Sequence, residues 1–235
     1  MTDVGTVLSL ALGMVLSGDG RLLEIVGLSL RVSLSAVAIG SLIGIPLGAA
    51  LAVLRFPGRG IVTTVLDALM GLPPVVVGLL IYLALSRSGP LGVFGLLYTP
   101  TAMIIAQAVL VTPLIAALAR QSLADRHHEY DEWFRSMRLS PSEAITTLIW
   151  EDRTSLMTAA LAGFGRAIAE VGAVIIVGGN IDRATRVMTT AIALETSKGD
   201  LALALALGLI LILMALTINA GVALLRRTAE RHAYA

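Results

Sequence analysis

The chain has 235 residues, 57% of them hydrophobic and 14% charged, with a formal net charge of +1. Its mean hydropathy of +0.89 excludes an ordinary soluble domain, in which about 25% of residues are charged. The near-neutral balance gives no sign of a nucleic-acid partner. The absence of cysteine excludes disulfides, thiolate metal sites and a cysteine nucleophile.

The first apolar stretch, VLSLALGMVL, follows Asp3 and stops at Gly18-Asp19-Gly20. It lacks the basic start of a secretory signal and is short for a bilayer crossing, which takes about 20 residues. Residues 1–25 therefore read as an interfacial or amphipathic segment. Five later segments are long and apolar enough to span: Val26–Leu54, Ile61–Leu85, Thr99–Ala119, Leu156–Val177 and Leu201–Leu225. The expected fold class is an all-α, polytopic transmembrane helical bundle over residues 26–225. A polar loop over 120–153 and a basic tail over 226–235 complete it.

Orientation follows from the basic residues, which concentrate on cytoplasmic loops. Arg55, Arg59, Arg120, Arg126, Arg135, Arg138, Arg153, Arg226, Arg227 and Arg231 fall on one side. Arg21, Arg87, Arg183, Arg186 and Lys198 fall on the other. The first side is placed in the cytoplasm, with the N-terminus outside and the C-terminus inside.

In the second span, Pro73-Pro74 reads either as a simple kink or as a broken helix beside a translocation path, because proline removes a helical hydrogen bond that lipid cannot replace. Pro46 and Pro113 read as kinks. Arg31 reads as snorkelling to the outer interface, and Asp67 as a group that pairs or caps locally. The fourth span is rich in glycine, at Gly163, Gly165, Gly172, Gly178 and Gly179, which suits close helix packing. Arg166 and Glu170, four apart, are expected on one helix face near mid-membrane, where a charge must face protein or a wet cavity. They are either a structural pair or part of a gate.

The 120–153 loop carries a helix ending near Arg138 and a capping box at Ser140-Pro141-Ser142-Glu143. The expectation is a helix-turn-helix with exposed Trp133 and Phe134, suited to docking a soluble partner. No GxxxxGK phosphate loop, HExxH or Ser/His/Asp constellation is present, and adjacent His127 and His128 lack ligand spacing. The chain reads as a non-enzyme with no bound cofactor and no metal.

The same loop resembles, in outline, the EAA-x3-G-x9-I-x-LP loop of binding-protein-dependent ABC importers. That spacing falls on Glu132, Trp133, Phe134, Arg138, Leu148, Trp150 and Glu151, with Glu132 alone identical. Arg138 stands at the Gly position, where a left-handed helix end would cost a non-glycine residue about 1 kcal/mol. GLPPVVVGLLIYLALSRSGPLG (71–92) and GFGRAIAEVGAVIIVGGNIDRATRVMTTAIALETSKGD (163–200) are more closely similar to molybdate- and tungstate-type permeases, the tungstate branch above all. The resemblance covers nearly the whole chain after Asp19.

It implies a type I ABC importer permease for an oxyanion: tungstate first, then molybdate or sulfate. Its implied partners are a second copy of the permease, two ATPase subunits that hold ATP and Mg, and an extracytoplasmic oxyanion-binding protein. The implied ATPase-docking set is Glu132, Trp133, Phe134, Arg138, Leu148 and Glu151. The implied pathway or gate set is Pro73, Pro74, Arg166, Glu170 and Asn180, the last in the VGGNI turn. A secondary transporter or channel without ATP is the rival class. The odd span count and the absence of a clear internal repeat stand against it.

Overall fold

Ten α-helices and one 3-10 turn (Gly92–Phe94) make up the described residues, 4–233 of a computed structural model, and no strand occurs among them. The helices are α1 Val4–Ser17, α2 Gly20–Val53, α3 Arg59–Leu69, α4 Pro74–Leu85, α5 Pro100–Ser136, α6 Pro141–Glu151, α7 Arg153–Ile168, α8 Gly172–Gly178, α9 Met188–Lys198 and α10 Leu201–Ala233. Three of them, α2, α5 and α10 over Leu201–Gly221, are each long and apolar enough to cross a membrane. The pairs α3 with α4 and α7 with α8 are bent at short breaks; counting each pair as one span gives five.

Local chemistry sets the breaks. Gly18 takes φ +66 after α1, and Asp19 then caps α2 by accepting the Arg21 and Leu22 N–H groups at 3.0 and 3.1 Å. Pro73 is extended (φ −65, ψ 120) and Pro74 opens α4 at its first position, where the missing N–H costs nothing. Pro46 and Pro113 lie inside helices that continue past them.

Two helices run beyond the apolar segments read from the sequence. The helix that carries the third span does not stop at Ala119: α5 runs unbroken to Ser136. The segment near Glu132 is thus the end of α5, and the 120–153 region is mostly helix. At 37 residues, α5 is about 55 Å long, well beyond the ~30 Å hydrocarbon core. Likewise the basic stretch after Leu225 continues α10 to Ala233; residues 234–235 lie outside the described residues.

The chain divides into two compact units. One comprises the chain up to Ser35, Pro73–Gln107 and Ala167–Asn219; the other comprises Ala36–Leu72, Ala108–Arg166 and the chain from Ala220. In the second unit, α2 and α5 approach along Gly40, Gly44 and Gly48. A Cβ on Gly44 would sit 2.9 Å from the Thr112 carbonyl oxygen, and one on Gly48 would sit 2.5 Å from that of Ala116. Small residues four apart let membrane helices pack backbone to backbone. In the first unit, α4 packs on α8 in the same manner through Gly78 and Ala173.

Candidate functional site

The α5–α6 corner in the second unit holds most of the expected docking residues. α5 ends in a Schellman motif: Leu139 N–H donates to the Phe134 carbonyl and Arg138 N–H to that of Arg135, each at 3.1 Å. Arg138 is the left-handed residue, at φ +53. This position favours glycine, so the arginine keeps its backbone cost of about 1 kcal/mol. Leu139 and Phe134, the residues that flank it in the motif, share one apolar cluster with Tyr130 and Leu148.

Ser140 then starts α6. Its Oγ accepts the Glu143 N–H at 3.4 Å, and its own N–H donates to Glu143 Oε2 at 2.8 Å, the expected capping box. Hydrogen bonds from the Ser140 side chain and backbone hold the Glu143 carboxyl below its ordinary range. At the far end of α6, buried Asp152 is held by Ser122 Oγ, and Arg126 Nε lies 3.7 Å from its Oδ1.

The corner separates residues that the sequence placed together. Trp133 is 56% exposed, but its neighbour Phe134 is 6% exposed and Leu148 is wholly buried. Phe134 and Leu148 therefore build the corner and offer nothing to a partner's surface, which corrects the expectation of two exposed aromatics. Glu132, Arg138 and Glu151 are exposed. Met137 and Trp150 are exposed too, Trp150 at 69% with the Arg153 guanidinium 5.1 Å from its ring centroid.

Of the expected pathway residues, Pro73, Pro74 and Glu170 sit at the helix breaks, and Arg166 lies in the last turn of α7. Pro73 and Pro74 make the first. At the second, α7 stops at Ile168 and α8 begins at Gly172, so Glu170 lies in the break. Helical register is lost between Arg166 and Glu170, and they are not four apart on one continuous helix as expected. Asn180 follows α8 at φ +50, beside Gly179 at φ +69, and its Nδ2 donates to the Thr190 carbonyl at 3.2 Å.

Buried side chains in the first unit satisfy the polar groups freed by that second break. Gln107 Nε2 donates to the Ala167 carbonyl at 2.9 Å, and Thr189 Oγ1 donates to the Glu170 carbonyl at 2.8 Å. Glu170 Oε1 accepts the Ala173 N–H at 3.3 Å. Gln107, Glu170 and Thr189 are all buried. Such partners make a helix break tolerable where lipid offers none. The sequence reading passed over Gln107 and Thr189, although an uncharged polar side chain inside IIAQAVLV was a visible signal.

A second buried polar centre was also missed. Glu195, 2% exposed, receives Lys198 Nζ at 3.2 Å and Arg21 at 3.3 Å, with Arg186 at 3.9 Å. Arg186 also meets Asp182 at 2.6 Å. Elsewhere, in the second unit, Asp67 pairs with Arg120 at 3.1 Å, a partner 53 residues away and not the local one expected. Among the described residues, no group of His, Asp or Glu side chains is placed to hold a metal ion.

This frame of apolar helices with two breaks has known relatives. Residues 44–231 match the family model for the binding-protein-dependent transport system inner membrane component. The chain is 42% identical to a tungstate uptake system permease protein of Peptoclostridium acidaminophilum, over 92% of this chain and 95% of that one. It is 40% identical to a probable anion ABC transporter permease protein of Haloferax volcanii, over 90% and 94%. Identity to the tungstate uptake system permease protein of Campylobacter jejuni is 37%, over 74% and 73%. Permeases named for sulfate and molybdenum are more distant. The chain belongs to the binding-protein-dependent transport system inner membrane components, and is an ABC transporter permease subunit of the type I importer fold.

Proposed function

We propose that this permease subunit carries tungstate across the cytoplasmic membrane, inward. The observation that carries the reading is its identity, over most of the chain, to permeases named for tungstate uptake. In this reading the chain works as a homodimer with two ATPase subunits, which bind ATP and Mg, and an extracytoplasmic binding protein that delivers the anion. The N-terminus lies outside and the C-terminus inside, as the arginine asymmetry favours.

The α5–α6 corner is the ATPase-docking surface. Glu132, Trp133, Arg138, Trp150 and Glu151 are its contact residues, because they are exposed there. Exposed tryptophans beside charged residues suit an interface anchor. The breaks at Pro73-Pro74 and Glu170, with Arg166 and Asn180, border the path. A broken membrane helix is tolerated where its backbone faces protein or a wet cavity, and transporters use such breaks at their substrate routes.

Uptake by cells that lack the chain and are then complemented with it tests the substrate. Labelled tungstate should accumulate, and unlabelled tungstate should compete at lower concentration than molybdate or sulfate. Accumulation of molybdate or sulfate without tungstate would overturn the assignment.

A further inference from the structure

A cavity of about 450 Å³ opens in the first unit, walled by the start of α2 and the turn between α8 and α9. Its ionisable lining comprises four guanidiniums, from Arg21, Arg31, Arg183 and Arg186, against two carboxylates, from Glu24 and Asp182. The carboxylates offset only part of this set, chiefly Arg186 and Arg21. Asp182 is engaged by Arg186 at 2.6 Å, and buried Glu195 beside the cavity already receives Arg21 and Lys198. Arg31 and Arg183 are exposed and have no ion pair among the described residues. Arg186 is 9% exposed, and its Nε is buried without a hydrogen-bond partner among those residues. Arg183 also holds φ +56. A non-glycine residue in this region costs about 1–2 kcal/mol, and such strain concentrates at ligand sites.

We infer that this arginine-lined cavity binds a tetrahedral oxyanion. Guanidinium groups match such anions by paired N–H donors and stay charged at any physiological pH. A concave wall with an excess of positive charge also raises the local anion concentration. The four cations lie on the side that the proposed orientation puts outside, so the cavity's place ahead of the membrane path rests on that reading. The anion is either a free oxyanion of the transported class or the phosphate of a lipid headgroup; both present the same oxygens to the arginines.

The test uses the full chain in phosphatidylcholine nanodiscs, titrated by calorimetry with tungstate, molybdate and sulfate. Saturable binding of at least one of them, weakened tenfold or more by Arg31→Gln with Arg183→Gly, is the expected result. Both side chains are exposed and glycine suits the Arg183 backbone, so the fold should survive. Should the double variant misfold, Arg31→Gln alone should weaken the same anion severalfold. In discs that contain phosphatidylglycerol, an affinity that falls with lipid charge in the wild type but not in the variant assigns the site to the headgroup. An unchanged affinity assigns it to the free oxyanion. No saturable binding, or equal binding by wild type and variant, overturns the site. Tungstate uptake without such binding would leave the transport reading intact. Binding in a chain that supports no tungstate uptake would leave the site and remove that reading.

Discussion

Gly78 and Ala173 bring α4 and α8 into backbone contact: a Cβ on Gly78 would fall 2.7 Å from Ala173 Cα and 3.1 Å from its carbonyl oxygen. Each of these helices is the second half of a broken pair. Their contact joins two segments that are each too short to be held by length alone.

Gly78→Ala should therefore lower stability by about 1–3 kcal/mol, because the methyl meets backbone, which has no rotamer to retreat into. Gly165→Ala is the control: a Cβ there meets nothing within 4 Å, and its effect should stay within about 0.5 kcal/mol. Thermal unfolding of both variants in the same detergent checks this. Equal melting of the two would refute the packing role of Gly78.

Gln107→Leu leaves the Ala167 carbonyl without its 2.9 Å donor. That carbonyl keeps the Glu170 N–H at 3.1 Å, so the cost is that of one hydrogen bond, about 0.5–1.5 kcal/mol. Transport should fall with the melting temperature, since the lost bond supports the break itself. Gln107→Glu removes the amide donor and adds a buried charge, and should be worse still. Wild-type stability in Gln107→Leu would show that the break is held by other groups.

Arg138→Gly should stabilise the chain by about 1 kcal/mol, because glycine adopts the left-handed conformation without the Cβ clash. The gain should appear with Leu139 N–H still bonded to Phe134. A loss of stability would mean that the arginine side chain contributes more than its backbone costs.

Trp133 and Phe134 should fail in different ways. Trp133→Asp should leave folding intact and reduce co-purification of the ATPase subunits, because the side chain lies on the surface. Phe134→Ala should cost about 3–5 kcal/mol of stability, the usual penalty for an emptied aromatic core site. Melting and pull-down measurements on both variants separate the roles. A fully assembled Trp133→Asp complex would remove Trp133 from the docking surface.

Features set by residues within a few positions of one another were legible in the sequence. The Ser140–Glu143 box and the Pro74 helix start are local chemistry, and both stand where their residue types dictate. Apolar length likewise marked the membrane segments, because the bilayer imposes one dimension on every crossing. Tertiary packing decided the rest. Trp133 and Phe134 are adjacent aromatics separated by about 100° around one helix, and only the cluster built by Tyr130, Leu139 and Leu148 determines that Phe134 turns inward. Arg166 and Glu170 have helical spacing, yet the helix stops between them, where Gln107 and Thr189 arrive from distant parts of the chain to satisfy the interrupted backbone. Hydrogen bonds that bridge 60 and 19 residues leave no local periodicity to read, so the tertiary structure alone decides where they form.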